Sequence, residues 1–163
     1  IEITERGRLT HRRAIASVAG LPRNIAEREV DVVRRLLGWE AKSVEIEQLT
    51  GAHGPGNILS IELGDGRVTE VITGFGEKRV AAERVARTAA KAAREYIKLG
   101  APVGPHLADQ LMIPMALAGG GVYRTGPLTR HAETNAHVVE AFLDVNIHRE
   151  RSDTSTTVTI APK

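Results

Sequence analysis

Ile58-Leu-Ser-Ile-Glu-Leu63, Gly64-Asp-Gly66 and Val68-Thr-Glu-Val-Ile72 follow one another, and a long helical pattern, Lys78 to Lys98, comes next. The first and third stretches are short and rich in branched apolar residues, as strands are. Gly-Asp-Gly between them supplies the positive φ that a tight hairpin turn needs. In the fourth stretch Ala82, Val85, Ala89, Ala93 and Tyr96 recur at helical spacing, and Gly100 and Pro102 end it. A hairpin followed by an amphipathic helix excludes both a pure bundle and a pure sandwich.

Outward from this core strands and helices continue in mixed order, without a sequence repeat. Upstream, Arg8 to Val18 reads as a strand ending at Gly20. Pro22 opens a helical pattern through Ile25, Ala26, Val30, Val33 and Leu37, with Gly38 as its stop. Ser43 to Gln48 alternates apolar and polar residues, the mark of a half-buried strand. Thr50 to Asn57, with three glycines and Pro55, reads as a loop. Downstream, His106 to Ala118 is a second helix candidate, closing in Gly119-Gly-Gly121. Val122 to Thr125 is a short strand, Thr134 to Leu143 a helix, and Val145 to Arg149 and Thr156 to Ile160 are strands joined by a turn at Ser152–Ser155. The fold class is therefore α/β (α+β). The break near residues 98–102 predicts two units, 5–98 and 99–163, the second too small to fold well alone.

Composition narrows the classes further. The 163 residues are 42% hydrophobic and 26% charged, which excludes disorder as the dominant state. A net charge of +2 allows a local nucleic-acid contact without establishing one. The absence of Cys excludes disulfides, thiol nucleophiles and cysteine-ligated zinc, and fits a reducing, cytoplasmic compartment. No apolar run approaches the ~20 residues of a membrane span, so no membrane partner is expected. The chain starts at Ile1 and not at Met, which suggests a fragment or a processed chain.

Several patterns could carry chemistry. Arg84, Arg87, Lys91, Arg94 and Lys98 are spaced three and four apart and share one helix stripe. Over Lys78–Lys98 seven basic residues face two acidic ones, a stripe that could track phosphates or simply be a solvated face. Gly51-Ala-His-Gly-Pro-Gly-Asn57 could form an anion nest, but no Lys-Ser or Lys-Thr follows, and Gly74-Phe-Gly-Glu-Lys-Arg79 lacks the third Gly of a dinucleotide fingerprint. Plain turns account for both. Of six histidines, none makes a zinc-binding spacing, and no metal-ligating residue is assigned. His11 and His148 lie in strand-like runs. His131 lies in a loop just before the helix start expected at Thr134. Free N–H groups and the dipole there favour phosphate and disfavour a protonated imidazole, leaving the ring able to act as nucleophile or base. The alternative is an ordinary polar loop residue.

Three sets of residues together resemble one family. Pro22-Arg-Asn-Ile-Ala-Glu-Arg-Glu29, Gly54-Pro-Gly-Asn57 and Gly76-Glu-Lys-Arg79 form the first. Val103-Gly-Pro-His-Leu-Ala-Asp-Gln-Leu111, running into Pro114-Met-Ala-Leu-Ala-Gly-Gly-Gly121, is the second. Arg130-His-Ala-Glu-Thr-Asn135 with Val138-Val-Glu140 is the third. In order and spacing they resemble the C-terminal half of the RNA 3′-terminal phosphate cyclases, over essentially the whole chain.

The resemblance implies ATP-dependent conversion of an RNA 3′-phosphate to a 2′,3′-cyclic phosphate through a histidine–AMP intermediate, with Mg or Mn as divalent metal. His131 matches the nucleophile position. His106, Asp109 and Gln110 match the ATP pocket, although relatives often carry an aromatic residue at the first of these. Phe75 is a candidate to pack on adenine, in an uncertain register. Asp109 is expected to fix the His131 tautomer, against the plainer reading of a cap or surface carboxylate. For Gln110 a purely structural hydrogen bond is the alternative. The resemblance further implies that 5–98 is a small α/β domain inserted before the last sheet-plus-helices repeat, 99–163, with 1–4 ending the preceding core segment. Family members are roughly twice this long, so an N-terminal half is the expected protein partner, the chain being split, cleaved or truncated. A non-catalytic cyclase-like scaffold for RNA or RNA processing is the alternative, and such relatives lack the histidine at position 131.

Overall fold

The computed structural model describes residues 1–163, which divide into two compact units. One comprises Ile1–Gly7 and Leu99–Lys163, and the other, Arg8–Lys98, interrupts it in sequence. The chain begins with β1 (Glu2–Ile3) of the first unit and then enters the second.

The Arg8–Lys98 unit runs β2 (His11–Ala19), α1 (Asn24–Leu37), a 3₁₀ turn (Ala41–Ser43), β3 (Val44–Leu49), β4 (Gly56–Gly64), β5 (Thr69–Phe75) and α2 (Ala82–Leu99). Its sheet has the order β3-β2-β4-β5. β2 and β3 are parallel, joined through α1, and the β4–β5 hairpin is antiparallel. The hairpin turn is held by Asp65, whose Oδ1 accepts from the N–H groups of Arg67 and Val68 at 2.9 Å each. Ala14, Ala16 and Val18 of β2 and Leu59, Ile61 and Leu63 of β4 form the buried floor. Ala26, Val30 and Val33 of α1 and Ala86, Ala89 and Ala93 of α2 close over it. The small helical side chains let α2 ride close to the sheet. A Cβ on Gly74 of β5 would stand 2.9 Å from Val85 Cγ1.

The other unit adds α3 (Pro105–Leu117), β6 (Gly121–Thr125), α4 (Arg130–Phe142), β7 (Val145–Arg151) and β8 (Thr156–Pro162). Its sheet has the order β1-β6-β8-β7, parallel only at β1–β6. Tyr123, Ile147, Val158 and Ile160 of the sheet pack with Met112 and Met115 of α3 and Ala132, Ala136 and Val139 of α4. Gly120 makes the turn from α3 into β6. Its φ is +110°, and a Cβ there would stand 2.5 Å from the carbonyl oxygen of Ile160.

The mixed α/β class and the order of the expected elements agree with the sequence; the strand Glu2–Ile3 and the 3₁₀ turn Ala41–Ser43 are additions, and the remaining differences lie at element ends. α2 begins at Ala82 and not at Lys78. Arg79 has φ +70°, which breaks a right-handed helical path, so Lys78 and Arg79 belong to the turn before it. β5 continues past Ile72 to Phe75 because Phe75 pairs with Ile58 across the hairpin. Pairing with β2 likewise draws Gly56 and Asn57 out of the expected loop into β4. α1 starts at Asn24, two residues after Pro22, whose carbonyl accepts from Ile25 N–H at 3.1 Å.

Candidate functional site

The start of α4 also departs from expectation, and it carries His131. The helix begins at Arg130, four residues before Thr134, so His131 lies in its first turn and not in a loop. The cause is Thr129, whose Oγ1 accepts from Ala132 N–H at 3.1 Å while its carbonyl accepts from Glu133 N–H at 3.0 Å. A Thr cap nucleates the turn without any apolar periodicity, which is why helical spacing alone misses it. The N–H groups of Arg130 and His131 are the first two of the helix and have no intrahelical acceptor. His131 is exposed beside them.

α3 supplies the facing surface. Pro105 occupies its first turn, and His106, Asp109 and Gln110 follow at i, i+3 and i+4 on one face. His106 and Gln110 are exposed and Asp109 is half-buried. Asp109 lies inside the helix, not at a cap. Its Oδ1 is enclosed and accepts no hydrogen bond, a costly condition for a carboxylate. The nearby Tyr123 hydroxyl donates instead to the Ala108 carbonyl at 2.7 Å. Burial first, and the Asp109 charge second, push that phenol well above its ordinary range, so it stays a neutral donor. Pro114, one turn beyond Gln110, has no N–H to offer the Gln110 carbonyl, which leaves that oxygen without its helical donor.

Asn135 joins the two helices. Its Nδ2 donates to the Asp109 carbonyl at 3.0 Å. His131 stands one turn earlier on the same face of α4 as Asn135. The tether therefore brings the Asp109 backbone to the His131 face, although the two side chains do not hydrogen-bond to each other. A second set of contacts fixes α4 on β7. Arg149 lies 3.6 Å from both Glu133 and Glu140, and Arg151 pairs with Glu133. Glu140 Oε1 also accepts from Ile147 N–H at 2.8 Å.

His131, His106, Asp109 and Gln110 thus belong to one pair of packed helices. Phe75 ends β5 in the other unit, with 64% of its surface exposed. Thr129, Asn135 and Tyr123 are the residues that helical periodicity did not single out. Asn135, four residues after His131, was the one readable hint. No group of three carboxylate or imidazole side chains gathers to hold a metal ion.

Residues 4–98 match the family model for the RNA 3′-terminal phosphate cyclase insert domain. The chain belongs to the RNA 3′-terminal phosphate cyclase family. It is 38% identical over its full 163 residues to an RNA 3′-terminal phosphate cyclase of Koribacter versatilis, covering 46% of that protein. It is 44% identical over 147 residues, 90% of this chain and 43% of the relative, to the cyclase of Pseudomonas fluorescens. A Pseudomonas aeruginosa cyclase is 37% identical over 153 residues. The chain spans less than half the length of these curated relatives. No helix is long and apolar enough to cross a membrane.

Proposed function

We propose that this chain carries the nucleophile of an ATP-dependent, AMP-forming RNA 3′-phosphate cyclase, acting with a segment equivalent to the N-terminal half of its relatives. The observation that carries the reading is the position of His131. It is exposed in a Thr-capped first turn, beside two unpaired N–H groups and across a tether from Asp109.

The residues present fit a nucleotide. The Arg130 and His131 N–H groups and the Arg130 guanidinium would receive phosphate oxygens. Gln110 and the orphaned Asp109 oxygen would orient the remainder. Neutral imidazole nitrogen of His131 attacks the α-phosphorus. An N–P bond forms, the bond to the β-phosphate oxygen breaks, and pyrophosphate leaves. The RNA 3′-phosphate oxygen then displaces His131 from phosphorus, and the vicinal 2′-hydroxyl closes the cycle with loss of AMP. The helix-end donors stabilise the charge that grows on the phosphoryl oxygens. Asp109 acts as a positioning residue for the imidazole. No group of three ligating side chains gathers on this chain, and no step is assigned to a divalent ion.

The need for a partner segment is supported by apolar residues left on the outside of both helices. Ile113 and Leu117 stand one turn apart on α3, and Val138 and Phe142 one turn apart on α4, with Phe142 85% exposed. A second length of relative-like chain would cover them.

The test is intact mass after incubation with ATP and Mg²⁺ or Mn²⁺, with and without a supplied N-terminal half. An acid-labile AMP adduct is expected with both halves and absent in His131→Ala. Asp109→Asn should slow adduct formation and move its pH profile. An Asp109→Asn rate equal to wild type removes the positioning role, and no adduct from folded protein removes the enzyme reading.

A further inference from the structure

We propose that the groove between α1 and α2 of the Arg8–Lys98 unit binds the phosphodiester backbone of a single RNA strand. Arg87, Lys91, Arg94 and Lys98 of α2 line it, with Glu95 among them and Leu36 of α1 on the other wall, around about 540 Å³. The four cations recur every three or four residues and so spread along ~16 Å of helix, one per turn. All four are exposed.

The cations are also unspent. Lys91 alone has a carboxylate neighbour, Glu95 at 3.8 Å, and both are so exposed that the pair is weak. The other acid of α2, Glu83, is engaged by Arg28 of α1 at 3.6 Å. Glu83 stands four residues before Arg87 and Glu95 three before Lys98, yet neither forms an ion pair with that cation: Glu83 turns to Arg28 and Glu95 to Lys91, so Arg87, Arg94 and Lys98 carry none. The uncovered face of the same sheet is the opposite case. There Glu45 accepts from Arg13 at 2.6 Å, Glu47 accepts from Ser17 at 2.8 Å, and Glu62 meets His11 at 2.9 Å. Its carboxylates are matched strand to strand, and they would repel a polyanion. Within the unit, α2 thus sets a row of exposed cations along one helix face, whereas the carboxylates of that sheet face are paired.

The layout suits a linear polyanion better than a compact phosphate. The cations are strung along the groove and do not converge on a point. Leu36 gives it an apolar wall that a ribose or base face can cover. The choice of RNA over other polyanions rests on the reading under Proposed function, whereas the match to a repeating phosphate chain does not.

The test uses the whole chain and a 5′-labelled single-stranded RNA with a 3′-hydroxyl, followed by fluorescence anisotropy across a salt series. Four phosphate contacts predict a log–log salt slope of about −2.8, or about fifty-fold weaker binding at about 200 than at about 50 mM salt. Arg87→Glu with Lys91→Glu should weaken binding about tenfold or more and flatten the slope by about 1.4. Arg8→Glu with Arg12→Glu carries the same charge change elsewhere in the unit and should alter neither. Circular dichroism checks that both variants fold. Unchanged binding in the groove variant, equal weakening by both variants, or competition by polyglutamate as strong as by unlabelled RNA overturns the proposal. AMP addition, measured in parallel by mass, is expected to survive the groove substitutions. RNA bound in the groove by protein that never takes AMP would sink the cyclase reading while leaving the groove standing.

Discussion

Thr129 and Glu29 show how single side chains set the local chemistry. Thr129 satisfies one first-turn donor of α4 and leaves the two beside His131 free. Thr129→Ala should cost about 1 kcal/mol in urea unfolding and slow AMP addition, with Thr129→Ser restoring both. Glu29 of α1 is fully buried. Its Oε2 accepts from Asn57 Nδ2 at 2.8 Å, while Oε1 has no partner. Burial raises its carboxyl above the ordinary 4.5, and the Asn57 hydrogen bond only partly opposes this. Below that ordinary value the group is protonated in both folded and unfolded chains. As pH rises above it, the unfolded chain releases its proton first, so stability falls until the folded group also ionises. Urea midpoints at about pH 4 and about pH 7 should therefore diverge more in wild type than in Glu29→Gln. An equal pH dependence in the two proteins would show that Glu29 titrates normally.

Helix and strand ends decide more than helix and strand interiors. The apolar spacing of α2 is legible because Ala82, Val85, Ala89, Ala93 and Tyr96 are all buried in the structure. Its start is not legible, because the positive φ of Arg79 sits on a residue type that rarely adopts it. α4 shows the converse, a start set by one capping hydroxyl and not by periodicity. The contact between β5 and α2 is also an element-level property. Gly74 has no room for a methyl group against Val85, so Gly74→Ala must displace the Val85 side chain, the helix or the strand. About 1–3 kcal/mol of destabilisation is expected by thermal or urea unfolding, with Val85→Ala recovering part of it in the double variant.

For the whole molecule, each unit has its own buried cluster, and neither cluster draws a residue from the other unit. Arg8–Lys98 produced alone should unfold cooperatively and keep its amide protection in hydrogen exchange. A broad, non-cooperative melt would show that its core depends on the rest of the chain. The Ile1–Gly7 and Leu99–Lys163 unit closes its sheet with β1, a strand from before the interruption, so its register depends on residues far apart in sequence.

Alternating and helical apolar patterns determined the class, the order of elements and the buried face of each amphipathic helix. Local patterns can do this because side-chain direction follows backbone period. Only tertiary structure decided that Gly56, Asn57 and Gly74 are strand residues, since ladder partners far along the chain place them there. It also decided that Asn135 reaches the Asp109 carbonyl and that the α2 cations border Leu36. These are contacts between residues that no local period relates, and packing between elements is what creates them.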